Sequence, residues 1–172
     1  MAEIKWPWQY NFPPFFTIQP NKETQKLQLD AWKSLVLDYC RSTKQCVIDV
    51  REANNSPVFH NAAISRKLPP EGILLVLEEL AASGNAEPLD KTKTRWFIFW
   101  RTLQELASII HTWAKDNGFT NTVCTFYELT NTPDQEFSGI DEDVLQKALK
   151  ELEKQGKAEV IISSEINGVK FF

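Results

Sequence analysis

The 172-residue sequence predicts a mainly helical α+β chain: two tandem modules, each with three helices and a small antiparallel sheet, preceded by an extended proline and aromatic tail. Three observations carry this reading. Residues 6–16 pack six aromatic rings and three prolines into a stretch with no helical or strand period. The rest of the chain runs twice through one order of elements. A shift of 72 residues lays 77–87 on 149–159, with Leu77/Leu149, Glu79/Glu151, Leu80/Leu152, Gly84/Gly156, Ala86/Ala158 and Glu87/Glu159 identical, the mark of an internal duplication. The predicted divisions are a docking tail over 1–20, a first module over 21–100 and a second over 101–172.

In the tail, Pro7, Pro13 and Pro14 fix φ and withhold backbone donors, which favours an extended, polyproline-like path with the rings splayed outward. Those rings dock either on the chain's own body or on another subunit. Asn21 is placed to cap a helix whose Leu27, Trp32, Leu35, Val36 and Tyr39 follow helical spacing. A short alternating strand over 46–50 follows. Ser56-Pro57 marks a turn or helix start, a short second helix leads to Leu68, and Pro69-Pro70 opens a third carrying Ile73, Leu74, Leu77, Leu80 and Ala81 until Gly84 stops it. A strand over 86–89, a polar turn over 90–94 and a strand over 95–100, apolar on both faces, complete the first half.

The second half repeats the plan. Thr102-Leu103-Gln104-Glu105 has the form of a capping box, and Leu106, Ile109, Ile110 and Trp113 stripe the helix that it starts, up to Asn117-Gly118. A strand over 123–126 and a short helix over 127–130 come next. Asp141 caps a third helix bearing Val144, Leu145, Ala148, Leu149 and Leu152, and Gly156 ends it. A hairpin closes the chain, with strands over 158–162 and 169–172 and a polar turn containing Asn167-Gly168. Helix, strand, helix, helix, hairpin is the order of a winged-helix module. A module of about 75 residues buries only about 60% of its unfolded surface, so the two are expected to pack together, with strand 95–100 at the contact.

Composition narrows the function. Apolar runs such as 73–77 are too short to cross a bilayer, and residues 1–5 lead into prolines and rings rather than an apolar signal core, so a cytosolic or nuclear protein is expected. Three cysteines without a Cys-x-x-Cys spacing, and only two histidines, give no zinc constellation; no metal or cofactor is expected. A net charge of −4 disfavours a nucleic-acid binder. The groove-reading third helix would carry Glu71, Glu78 and Glu79 in the first module, and in the second Lys147, Lys150 and Lys154 are offset by Asp141, Glu142, Asp143, Glu151 and Glu153. His111 and Cys124 could form a nucleophilic pair, but His111 lies among Ile109, Ile110 and Trp113 with no glycine-rich oxyanion loop nearby. Both modules read as protein-interaction versions of the fold.

Trp6-Pro7-Trp8-Gln9-Tyr10, Phe12-Pro13-Pro14-Phe15-Phe16, Tyr127-Glu128-Leu129 and Gly168-Val169-Lys170-Phe171-Phe172 together resemble the small vacuolar protein sorting subunits present in two copies in the endosomal complex ESCRT-II. The likeness runs end to end. It implies a non-enzymatic adaptor whose tail docks on the two other ESCRT-II subunits and whose second winged helix recruits the first ESCRT-III subunit in multivesicular body sorting of ubiquitinated cargo. It also implies a cytoplasmic protein recruited to endosomal membranes only through the complex. Carried onto this chain, Trp6, Pro7, Trp8, Pro13, Pro14, Phe15 and Phe16 hold the core subunits, while no short motif marks the ESCRT-III contact. Burying a large apolar side chain contributes roughly 1.5–3 kcal/mol against roughly 1–2 kcal/mol per ordered backbone residue, and prolines lower that cost. Residues 12–16 are therefore the expected anchor, with Trp6-Pro7-Trp8 a second site; the alternative for the tail is self-packing on the first module, for which Trp6 and Trp8 are the rings expected to cover the chain's own domain. The alternative is a transcription-associated winged-helix protein working through nuclear partners or DNA, which salt-sensitive duplex binding would reveal.

Overall fold

Asn21 sets where regular helix begins: its side-chain oxygen accepts from the amides of Glu23 and Thr24 at 3.0 and 3.1 Å, satisfying two of the donors that a helix start leaves over. The computed structural model describes residues 4–172; the expectation of no signal core rests partly on residues 1–3, which lie outside the described residues. The chain divides into two compact units, Met1–Trp100 and Arg101–Phe172.

In the first unit, helix α1 (Lys22–Thr43) buries Leu29, Trp32, Leu35, Val36 and Cys40. Strand β1 (Val47–Asp49) leads directly into the one-turn helix α2 (Val50–Ala53), which Asp49 caps through the Arg51 amide. A small hairpin, β2 (His60–Asn61) and β3 (Arg66–Lys67), precedes helix α3 (Pro70–Ala82). Proline opens α3 where no amide donor is needed, and its Ile73, Val76, Leu77 and Leu80 are buried as it packs on α1. Strands β4 (Ala86–Pro88) and β5 (Arg95–Ile98) complete an antiparallel sheet of order β1-β5-β4. Trp96, opposite Ile48, and Ile98, opposite Ala86, join the core, while Phe97 and Phe99 stack on one another.

The second unit is built alike. Helix α4 (Leu103–Asp116) starts on the complete Thr102/Glu105 capping box, and α5 (Phe126–Thr130), after strand β6 (Val123–Thr125), starts on another formed by Thr125 and Glu128. Helix α6 (Glu142–Lys154) buries all five expected apolar residues, Val144, Leu145, Ala148, Leu149 and Leu152. Strands β7 (Ala158–Ile162) and β8 (Asn167–Phe171) give a sheet of order β6-β8-β7. In both units the last strand sits centrally, between the strand after the first helix and the strand after the third. Each is a winged-helix module.

Three local expectations are corrected. The second helix of the first module is α2, ahead of the expected 57–68 segment, because Asp49 caps a turn there; 57–68 instead forms the β2–β3 hairpin around a 3-10 turn at Ala62–Ile64. Leu27, expected in the core stripe, is 71% exposed. The wing turn falls at residues 163–166, closed by Ser163, whose hydroxyl donates to the Ile166 carbonyl at 2.6 Å and accepts from its amide at 2.9 Å. Asn167-Gly168 already belongs to β8, where Gly168 lets the backbone approach the Cys124 carbonyl.

Candidate partner-docking site

The proline and aromatic tail is a folded strap. Two 3-10 turns, Trp8–Asn11 and Pro13–Phe16, are separated by Phe12 in an extended conformation. The turns are closed by amides of Tyr10, Phe12, Phe15 and Thr17 donating to carbonyls of Pro7, Gln9, Phe12 and Pro14 over 2.9–3.2 Å. Prolines suit the first positions of such turns, where a missing amide costs nothing.

Two rings go inward. Phe15 lies parallel on Trp32, with centroids 4.2 Å apart and planes 3° from parallel, and Phe16 meets the same indole edge-on at 5.3 Å. Trp32 is fully buried, with Phe59 also stacked against it at 5.7 Å. Its Nε1 donates to the Phe15 carbonyl at 2.9 Å. Gln28, one turn earlier on α1, is buried, and its amide nitrogen donates to the carbonyls of Phe15 at 2.9 Å and Thr17 at 2.8 Å. Its Oε1 accepts from the Gln19 amide at 3.0 Å. A second seam joins the strap to the β2 region. There the Tyr10 hydroxyl donates to the Pro57 carbonyl, and Asn61 Nδ2 donates to the Tyr10 carbonyl at 2.7 Å. Burial first, then the neighbouring Tyr39, raises the Tyr10 phenol above its ordinary value, which keeps it a donor.

Other rings go outward. Trp8 is 70% exposed and Phe12 47%, the two packed together at 5.6 Å. Trp6 is partly covered by Tyr10 at 4.1 Å and Tyr39 at 6.1 Å. Pro13 and Pro14 are exposed and Pro7 half-buried. Between strap and α1 runs a groove of about 340 Å³ whose apolar wall is Trp8, Phe12, Pro14, Phe15, Leu27 and Ala31.

This arrangement corrects the expected roles of the rings. Phe15 and Phe16 are core residues of their own module rather than splayed rings, and Trp8 stands out in solvent rather than covering its domain. The reason lies in Trp32: Phe15 stacks on the buried indole and accepts its Nε1–H through its carbonyl, and Phe16 packs on it edge-on.

Among the described residues, Cys124 and His111 are the candidate nucleophilic pair. Cys124 is buried, and its thiol is pushed up by that burial and by Glu128, the reverse of an activated nucleophile. His111 Nε2 instead sits 3.1 Å from the Phe172 carbonyl oxygen. The exposed positions of α3 are Pro70, Glu71, Leu75, Glu78, Glu79 and Ala82, a face with three carboxylates, one of them paired with Lys93, and no basic residue of its own for a phosphate.

A family model for the ESCRT-II complex subunit matches residues 9–142. The chain belongs to the ESCRT-II complex subunit family. It is 52% identical over 172 residues to human vacuolar protein-sorting-associated protein 25, covering 98% of each chain. The crystal structure of subunit VPS25 of ESCRT-II superposes with a TM-score of 0.85 at 30% identity, over 95% of this chain and 97% of that one. A chain from the crystal structure of the endosomal complex ESCRT-II (VPS22/VPS25/VPS36) superposes with a TM-score of 0.82 at 30% identity, over 96% and 98%.

Within this ESCRT-II family member, Gln28 is a site residue that the sequence reading does not single out, and Leu27 is one that it places in the core instead. Gln28 had a signal: a polar amide four residues before Trp32 shares its helix face, and a polar group on a buried face needs a backbone to bond. Leu27 had one too: five residues before Trp32, it lies off the face that buries Leu29, Trp32, Val36 and Cys40.

Proposed function

We propose that the chain is a non-enzymatic adaptor subunit of an ESCRT-II complex in endosomal sorting, gripping its VPS22-like and VPS36-like partners through the strap. Two copies serve each complex, and the division of labour follows residues 1–20, 21–100 and 101–172. The observation that carries this reading is the outward cluster of Trp8, Phe12 and Leu27 beside exposed Pro13 and Pro14, in a chain that matches VPS25 end to end. Exposed rings held on a rigid support are suited to anchor an interface, because little side-chain or backbone entropy remains to be lost. Trp6 and Pro7 extend that surface, and Phe15 and Phe16 serve it from below.

The second module is assigned to the ESCRT-III subunit, supported by its exposed apolar residues Val123, Tyr127, Ile162 and Ile166. Copurification with the VPS22 and VPS36 counterparts tests the central reading. The chain is expected to join a stable complex, and Trp8→Ala with Phe12→Ala to weaken its affinity by tenfold or more without loss of thermal stability. Undiminished affinity in that double variant contradicts the strap as the anchor.

A further inference from the structure

We infer that Gln28 and Trp32 of α1 are positioning residues for partner docking: they touch no partner, but they fix the strap in the conformation that presents Trp8, Phe12 and Pro14. The inference rests on the proposal that the strap docks on the core subunits, and adds what holds it ready to do so.

The hydrogen-bond inventory carries the argument. A primary amide has two donor hydrogens and an acceptor oxygen. Gln28 uses both donors on strap carbonyls, Phe15 and Thr17, and its oxygen on the strap amide of Gln19, so each of its closest bonds goes to one backbone segment. Trp32 Nε1 gives its single donor to the same Phe15 carbonyl. Gln19 Nε2 adds bonds to the carbonyls of Thr17 at 2.7 Å and Pro14 at 3.1 Å, closing the loop on itself.

Residues 14–19 therefore have their polar backbone read by α1 much as a strand is read by its neighbour. Phe12 lies immediately before this fixed stretch, and Gln28 itself lines the groove beside Trp8, Phe12 and Leu27. Without the Gln28 amide, the Gln19 N–H loses its partner and the Phe15 and Thr17 carbonyls each lose one of two donors, keeping only Trp32 Nε1 and Gln19 Nε2, and the strap gains freedom that docking must remove again.

Gln28→Met keeps the length and apolar stem and deletes every polar bond; Trp32→Phe keeps a ring under Phe15, deletes the indole donor and leaves a smaller ring in a buried site. Each is made in the full chain, with two readouts: chymotryptic cleavage after Phe15 or Phe16, and affinity for a reconstituted VPS22–VPS36 subcomplex. Cleavage of Gln28→Met is expected to accelerate, and its affinity to fall about tenfold. In the Trp8→Ala/Phe12→Ala background the Gln28 change is expected to have little further effect, because it acts through those rings. Trp32→Phe reports the same way if Gln28→Met fails to fold. Unchanged cleavage, or faster cleavage with unchanged affinity, overturns the inference. Failure of the docking proposal looks different, since Trp8→Ala/Phe12→Ala would then bind as the parent does.

Discussion

At the residue scale, one indole organises the site. Trp32 is stacked by Phe15, met edge-on by Phe16 and backed by Phe59, so the strap shares the first module's core. Phe16→Ala is accordingly expected to destabilise the first module by about 3–5 kcal/mol, the range for emptying a buried phenylalanine site, whereas Trp8→Ala should stay within about 0.5 kcal/mol. Urea denaturation of the two variants checks the contrast; equal stability would place Phe16 outside the core. The sequence made the ring density of residues 6–16 plain but not the choice among rings, because inward and outward positions depend on a cavity built by Trp32 and Phe59 from elsewhere in the chain. Cys40 offers a pH test in the same core. Burial, then the nearby Cys46, raises its thiol above the ordinary value of 9.0, so the folded state favours the protonated form. That contribution is whole below pH 9.0 and is lost as pH rises beyond it, since the unfolded thiol ionises first. Stability should fall on the alkaline side, and less so in Cys40→Ala, with iodoacetamide modifying Cys40 only on unfolding.

At the element scale, the parts with strong local chemistry were legible. Asn21, Thr102 and Asp141 cap where their side chains indicate, and the stripe of α6 is buried at every expected position. Among the short elements, α5 and β7 lie where the sequence places them, but α2 does not. Helix α2 is set by a single Asp49 cap within a strand-to-helix junction, a signal weaker than the Ser56-Pro57 punctuation nearby. The wing turn was misplaced for a related reason: Asn-Gly is a strong turn pair, but here its glycine answers to strand packing. A Cβ at 168 would lie 3.0 Å from the Cys124 carbonyl oxygen and 3.3 Å from Val123 Cγ1. Gly168→Ala is therefore expected to push β8 from β6 and cost about 1–3 kcal/mol, since the opposing atom is backbone and cannot turn aside. Thermal unfolding of the variant measures this, and an unchanged midpoint would show that the sheet yields at this point.

At the scale of the whole molecule, the duplication seen in six matched residues reappears as one topology used twice, β1-β5-β4 and β6-β8-β7. What separates the halves is what was added to the first: the strap, the β2–β3 hairpin that helps to hold it, and a polar Gln28 in a helix that would otherwise bury only apolar groups. The tail that looks most like a detachable peptide is thus built into its module through Phe15 and Phe16. Amide hydrogen exchange on the free, full-length chain tests this most directly. The amides of Phe15, Thr17 and Gln19, which donate to Phe12, Pro14 and Gln28, are expected to exchange as slowly as the buried stretch of α1 around Trp32. Exchange of those three amides at the rate of an unfolded peptide, with α1 still protected, would contradict the account.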